Sequence, residues 1–143
     1  MEQKIIFRKI EEILYSYTKY KKRIQTEYEN LKDLQIKQSY KIKEPSGHSF
    51  EFKSELEKLE DLRNKICKNI ERYNEMIYRI DECLNLVVEH KDYGFIKLRY
   101  FDKKSYEDIA GELEINVSNA YKMRNRILGA LEIHMITQKL ICY

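Results

Sequence analysis

Between Val117 and Leu131 the sequence VSNAYKMRNRILGAL holds three cations, Lys122, Arg124 and Arg126, and no carboxylate. The whole chain is nearly balanced, with 27 Lys and Arg against 24 Asp and Glu, a net charge of +3. That overall excess is too small to imply a nucleic-acid partner; the local distribution is what distinguishes this stretch. At about 100° per residue, Ser118, Lys122 and Asn125 fall together on one side of a helix, with Tyr121 and Arg126 on its shoulders. The opposite side carries Val117, Ala120, Met123, Ile127, Ala130 or Leu131 and His134 as an apolar stripe. A face of donors without acid suits a polyanion. Ser118 and Lys122, with Val117 and Tyr121 at the helix entrance, are the candidates for base edges, since Lys reaches guanine O6 and N7 and Ser is permissive; Asn119 is a further candidate for DNA contact. Arg124, Asn125 and Arg126 are candidates for phosphate.

Such a face needs elements that hold it outward. Ser105 followed by Asp108 matches the acidic form of a helix N-terminal capping box, and Ile109, Ala110 and Leu113 then share one helical face. Glu114-Ile115-Asn116 breaks that pattern, and Asn116 can cap the next helix. Two short helices with a tight turn, a small residue (Ala110) at the crossing and a donor-rich second helix of about Val117–Leu131 predict a helix-turn-helix, whose second helix enters the major groove. Lys103 and Lys104, with the free amides after Ser105 and Tyr106, make either a phosphate site or a solvated loop with an ordinary cap. An amphipathic helix pair with a merely solvated polar face is the plain alternative to the whole motif.

The segment LRYFDKKSYEDIAGELEINVSNAYKMRNRILGAL, Leu98 to Leu131, resembles region 4 of sigma-70-type transcription factors. It is closer still to small phage-encoded activators of late transcription, the RinA- and ArpU-like families. The matching features are Leu98-Arg99-Tyr100-Phe101, Ser105 to Ala110, Leu113, and Arg124-Asn125-Arg126 with Leu128 and Leu131. The resemblance implies a DNA-binding helix-turn-helix preceded by a supporting helix from about Asp92 to Phe101. It further implies double-stranded DNA as partner, RNA polymerase as a second partner, and the cytoplasm of a bacterial host as location. Glu114 departs from the pattern, standing where many relatives have Gly; a left-handed residue there costs about 1 kcal/mol without Gly.

Four Gly and one Pro among 143 residues leave little turn material for a multi-stranded fold. From about Lys4 to Lys41, Ile6, Ile10, Ile13, Tyr17, Tyr20, Ile24, Leu31 and Leu34 recur in fours and threes, with Glu27 as the polar gap. Tyr15, Tyr28 and Tyr40 add amphipathic bulk near this seam. Pro45 and Gly47 break the helix. A second seam follows at Leu56, Leu59, Ile66, Ile70, Tyr73, Ile77, Ile80, Leu84 and Val87, with Arg63 as its interruption. Two such seams predict a long antiparallel helical hairpin, with Glu27 and Arg63 as a shared polar layer or as two unrelated exposed charges. The second arm is expected to end near Glu89–Asp92, with a hinge at Tyr93-Gly94. After Leu131 an apolar tail of Ile133, Met135, Ile136, Leu140 and Ile141 must pack on the hairpin or on another subunit.

The expectation is therefore an all-α chain: residues 1–90 a hairpin for oligomerisation or partner binding, residues 91–143 a three-helix DNA-binding unit. Cys67, Cys83 and Cys142 are odd in number and widely spaced, as suits a reducing compartment, and a Cys67–Cys83 disulfide is excluded on a continuous helix. His48, His90 and His134 have no ligand-spaced partner, so no metal and no cofactor is expected. No apolar run reaches the ~18 residues of a membrane span, and the charged start Met1-Glu2-Gln3 does not read as a signal sequence. There is no phosphate loop, nucleophile elbow or zinc-protease motif, and no enzyme is expected. The reading is a sequence-specific transcription regulator, a homo-oligomer with a dimer favoured, with no membrane association. A complete sigma factor is disfavoured because residues 1–90 read as coiled coil. The alternatives are an oligomeric packaging or architectural DNA-binding protein, or a coiled-coil adaptor with a vestigial helix-turn-helix.

Overall fold

The structure is a computed structural model that describes residues 2–43 and 49–142 and, for 41–43 and 49–53, the backbone alone. Among the described residues every regular element is helical: α1 (Gln3–Lys43), α2 (Ser49–Leu86), α3 (Gly94–Ile96), a π-helical turn (Lys97–Phe101), α4 (Tyr106–Leu113) and α5 (Val117–Thr137). The all-α expectation holds. The expected reversal at Pro45–Gly47, and His48 beside it, lie outside the described residues.

The chain forms two compact units, one of Met1–Lys19 with Met76–Tyr143 and one of Tyr20–Glu75. The first unit joins the start of α1 to the end of α2 and the helices that follow. Residues 1–19 belong with the C-terminal helices because the start of α1 is apolar on a face wider than a two-helix seam. Ile6, Ile10 and Tyr17 of the expected seam are buried, and so is Leu14, which lies off it. Around them Tyr15 packs edge-on against Tyr100 (5.1 Å between centroids) and Tyr17 stacks on Phe101 (5.1 Å). The Tyr17 hydroxyl donates to Asp81 Oδ1 at 2.6 Å, which ties α1 to α2 within this unit. Phe95, Ile96, Tyr100, Ile109, Ile127, Leu128, Leu131 and Met135 complete a core in which each is at most 1% exposed.

The Tyr20–Glu75 unit holds α1 and α2 antiparallel, with Tyr20 stacked on Tyr73 and Leu34 buried against Ile66 and Ile70. Leu31 and Leu59 flank that small cluster. Arg23 and Arg72 lie 5.9 and 5.3 Å from the Tyr73 ring. The polar layer differs from the expected one. Glu27 accepts from Asn69 and Asn30, both at 3.4 Å, while Arg63 pairs with Glu60 at 3.4 Å on its own helix. The antiparallel order sets Glu27 level with Asn69, and Arg63 lies roughly a turn and a half away along α2. Tyr28 and Tyr40 are exposed, as are Ile36 and Leu62.

The second arm ends at Leu86, a few residues earlier than expected, in a run of turns. Val87 N–H donates to Leu84 O, His90 N–H to Val87 O and Tyr93 N–H to His90 O, at 3.0–3.1 Å. His90 is not idle: its Nδ1 accepts from the Asp92 amide at 3.0 Å. The supporting helix begins at Gly94 and widens at its end, with Asp102 N–H donating to the Lys97 carbonyl at 2.8 Å. Lys103, at φ 56°, then closes it in the left-handed region. The apolar tail packs within its own unit. Met135 and Ile141 are buried, and Leu140, Ile141 and Cys142 share a cavity wall with Lys9, Glu12, Ile13 and Ser16 of α1. Ile133 alone of the five named tail residues is well exposed, at 64%.

Candidate nucleic-acid interface

The turn between α4 and α5 is built by the residues that the sequence marked. Ser105, extended at φ −70° and ψ 161°, accepts the Asp108 amide on its Oγ at 3.1 Å. Glu114 closes α4 in the left-handed conformation (φ 57°, ψ 43°), and Ile115 N–H returns to the Ala110 carbonyl at 2.9 Å. Two residues later Asn116 caps α5, its Oδ1 accepting the Asn119 amide at 2.8 Å. Buried Ala110 and Ala120 let the two helices approach closely. Sequence and geometry agree on this motif's local frame, including the left-handed position that Glu114 fills without Gly's freedom.

The buried side of α5 follows the expected stripe only in part. Ala120, Ile127 and Leu131 are buried, whereas Val117, Met123, Ala130 and His134 are half-buried. Leu128 and Met135 are fully buried instead. The stripe turns because α3 packs on α5 as well as α4 does, and Gln3 of α1 reaches Glu132 at 3.3 Å. Ser118, Asn119, Lys122 and Asn125 are exposed on the outer side, and Tyr121 and Arg126 are exposed beside them.

The basic residues divide into free and engaged. Arg124 is held by Glu11 of α1, Nη2 to Oε1 at 2.6 Å, with its guanidinium 5.6 Å from the Phe7 ring. Its side chain is 23% exposed and that of Glu11 19%. Burial disfavours the Arg124 charge, but the hydrogen bond and charge of Glu11 hold its pKa above the ordinary value. Glu11 also accepts from the Tyr100 hydroxyl at 2.8 Å, and burial first, then Glu11, push that phenol up. Arg126 is exposed yet grips buried Asp92 with two bonds, Nε to Oδ2 at 2.6 Å and Nη2 to Oδ1 at 3.3 Å. Its hydrogen bond holds the Asp92 carboxyl below the usual range. Lys104 pairs with Glu112, and that hydrogen bond raises the lysine's pKa. These three residues were expected to face phosphate; the structure gives each an intramolecular carboxylate.

Lys103 and Lys122 remain exposed. At the N-terminus of α4 the amide of Asp108 is already taken by Ser105, and Glu107 and Asp108 place negative charge in the first turn. That arrangement favours the ordinary cap over a phosphate site. Asn125 Oδ1 accepts from Arg124 Nη1 at 3.0 Å, which leaves its amide NH2 to donate outward. Tyr106 is half-buried; its ring lies parallel to Tyr121, 3.9 Å between centroids and 12° between planes, and burial pushes its phenol up.

Sequence reasoning missed Glu11, Asp92 and Arg99. Arg99 donates to the Lys104 carbonyl at 2.8 Å and lies 4.5 Å from the Tyr106 ring. The sequence marked Asp92 as an element boundary and Arg99 as part of the resemblance, without a role for either; the partners of Glu11 and Asp92 lie 113 and 34 residues away. Among the described residues no group of three His, Cys, Asp or Glu stands together as a metal site, and no helix is long and apolar enough to cross a membrane. The cysteines are free; Cys83 is buried, which together with Glu82 pushes its thiol up to about 11. No family model, curated protein or solved structure matches this chain.

Proposed function

We propose that this protein is a sequence-specific, double-stranded-DNA-binding transcription regulator that places the N-terminal half of α5 in the major groove. The observation that carries the reading is the outer face of α5: Ser118, Asn119, Lys122 and Asn125 are all exposed, free of carboxylate, and held on a capped helix-turn-helix frame. Ser118, Asn119 and Lys122 read base edges, with Val117 and Tyr121 at the entrance, and Asn125 donates to base or phosphate. Lys103 contacts phosphate. Arg124, Arg126, Lys104, Ser105 and Tyr106 serve the interface by fixing the helices that carry it.

This division narrows the electrostatic part of binding. Of the cations expected at this interface, Lys103 and Lys122 are the exposed ones with no carboxylate partner among the described residues. With these two each chain neutralises about two phosphates, and the logarithm of affinity falls with that of salt at a slope near −2 per chain. Lys122→Ala changes the preferred base at one position, whereas Lys103→Ala weakens all sequences together and reduces the slope by about one. Equal losses on cognate and random duplex for both variants would contradict the assignment.

The resemblance to RinA- and ArpU-like activators supports a phage or prophage activator working in a bacterial cytoplasm alongside the host RNA polymerase. Exposed Tyr28, Ile36, Tyr40 and Leu62 in the Tyr20–Glu75 unit support a protein partner there, either a second copy or the polymerase. The same exposed side chains favour the second reading, an oligomeric packaging or architectural protein. That protein would bind DNA without sequence preference and form higher oligomers.

A further inference from the structure

We propose that Tyr121 reads the 5-methyl group of a thymine in the major groove. The inference rests on the DNA-binding reading above and assigns one base contact within it. Tyr121 is 46% exposed, yet it is not a free surface side chain. Its ring lies flat on Tyr106, 3.9 Å away and tilted by 12°. The Arg99 guanidinium lies 4.5 Å from the centre of the same Tyr106 ring. One ring face cannot hold both groups at those distances, so Tyr106 is sandwiched between them. Arg99 is fixed in turn by the Lys104 carbonyl, and Tyr106 also meets Phe95, which is fully buried. The platform is anchored in the core, and Tyr121 is its outermost layer.

Tyr121 lies three residues after Ser118 and four before Asn125, so its ring borders the outward face, on the side toward α4. One face of the ring is covered by Tyr106, and nearly half of the residue remains exposed. An exposed tyrosine ordinarily loses rotamer freedom on binding, and here the stack has already fixed it. A rigid apolar surface at the groove needs an apolar partner. The thymine methyl is the apolar group on the major-groove edge of the base pairs, and contact with it separates T·A from the other pairs.

The test uses the full chain and the fragment it prefers from its genomic neighbourhood, synthesised with each dT in turn replaced by dU. This exchange removes one methyl and keeps the pairing. At one position the wild type is expected to bind the dU duplex roughly fourfold more weakly, the worth of one buried methyl-sized group. Tyr121→Phe keeps that penalty, and Tyr121→Ala binds the dT and dU duplexes equally. A wild type indifferent to every dU exchange, or a penalty that persists in Tyr121→Ala, overturns the methyl contact while leaving DNA binding intact. A Phe variant as weak as Ala, with no dU effect in the wild type, assigns the tyrosine hydroxyl to phosphate instead and also overturns it. Absence of a preferred fragment overturns this inference together with the reading beneath it.

Discussion

The two compact units solve the same problem, holding α1 beside α2, with unequal means. In the unit of Met1–Lys19 and Met76–Tyr143, α3, α4 and α5 close over the helix pair, and a dozen side chains from Ile10 to Met135 are essentially inaccessible. In Tyr20–Glu75 the described residues belong to α1 and α2, and the buried ones among them are Leu34, Ile66 and Ile70. A two-helix stretch buries one stripe per helix and leaves the rest wet, so it has little to offset the entropy of ordering. The difference teaches where rigidity is placed. The unit that carries the α4–α5 frame is the one with a three-dimensional core, and the first nineteen residues of the chain are recruited to build it.

Truncating one core residue in each unit tests the comparison most strongly. Leu14→Ala is expected to cost about 3–5 kcal/mol, because the cavity is walled on all sides. Leu34→Ala should cost about 2 kcal/mol, since its thin surroundings can collapse. Chemical denaturation measures both, and equal costs would break the contrast. Native-state hydrogen exchange sharpens it: amides of Tyr20–Glu75 should exchange well before those around Ile80, Ile109 and Leu131.

Glu11→Ala comes next, at about 2–4 kcal/mol. It leaves the Arg124 guanidinium half-buried without its carboxylate and the Tyr100 hydroxyl without an acceptor. Glu11→Gln should recover part of the loss through the neutral hydrogen bonds. A negligible effect would mean that α1 does not brace α5.

The Asp92–Arg126 pair gives the first unit a pH signature. The folded pKa of Asp92 is depressed, so its contribution is complete above the ordinary carboxylate range and is lost as pH falls below about 4 toward the folded value. The melting-temperature gap between wild type and Asp92→Asn should therefore be constant near neutrality and shrink in acid. A gap that widens on acidification would contradict the sign.

The smallest effect is a gain. Glu114→Gly removes the left-handed penalty at φ 57°, partly offset by the greater freedom of Gly in the unfolded chain. A stabilisation of about 0.5–1 kcal/mol is expected in thermal melts, and a loss would mean that the glutamate makes a compensating contact.

Features set by a few neighbouring residues were legible in the sequence. The Ser105 and Asn116 caps, the strain at Glu114, the outward set Ser118, Lys122 and Asn125, and most of both seams depend on periods of three to four residues. Features set by distant partners were not. Arg124 and Arg126 have the composition of phosphate ligands, and only the fold brings Glu11 and Asp92 to them. A guanidinium looks the same in sequence whether it faces water or a carboxylate. Leu14 escaped for the same reason: it lies off the seam that pairs α1 with α2, in the stretch of α1 that belongs to the unit of the C-terminal helices. Local periodicity records which residues are apolar and not which element covers them.

The central claim is that the outer face of α5 reads DNA sequence. It is tested most directly by binding the purified protein to duplex fragments from its genomic neighbourhood across a salt series, with Lys122→Ala in parallel. The account predicts one preferred fragment, bound roughly a thousandfold or more tighter than random duplex. It also predicts a shallow salt slope near −2 per chain and an altered base preference in Lys122→Ala. Binding of every fragment alike would contradict sequence reading and favour the architectural role. No binding even at low salt would contradict DNA recognition by α5 altogether.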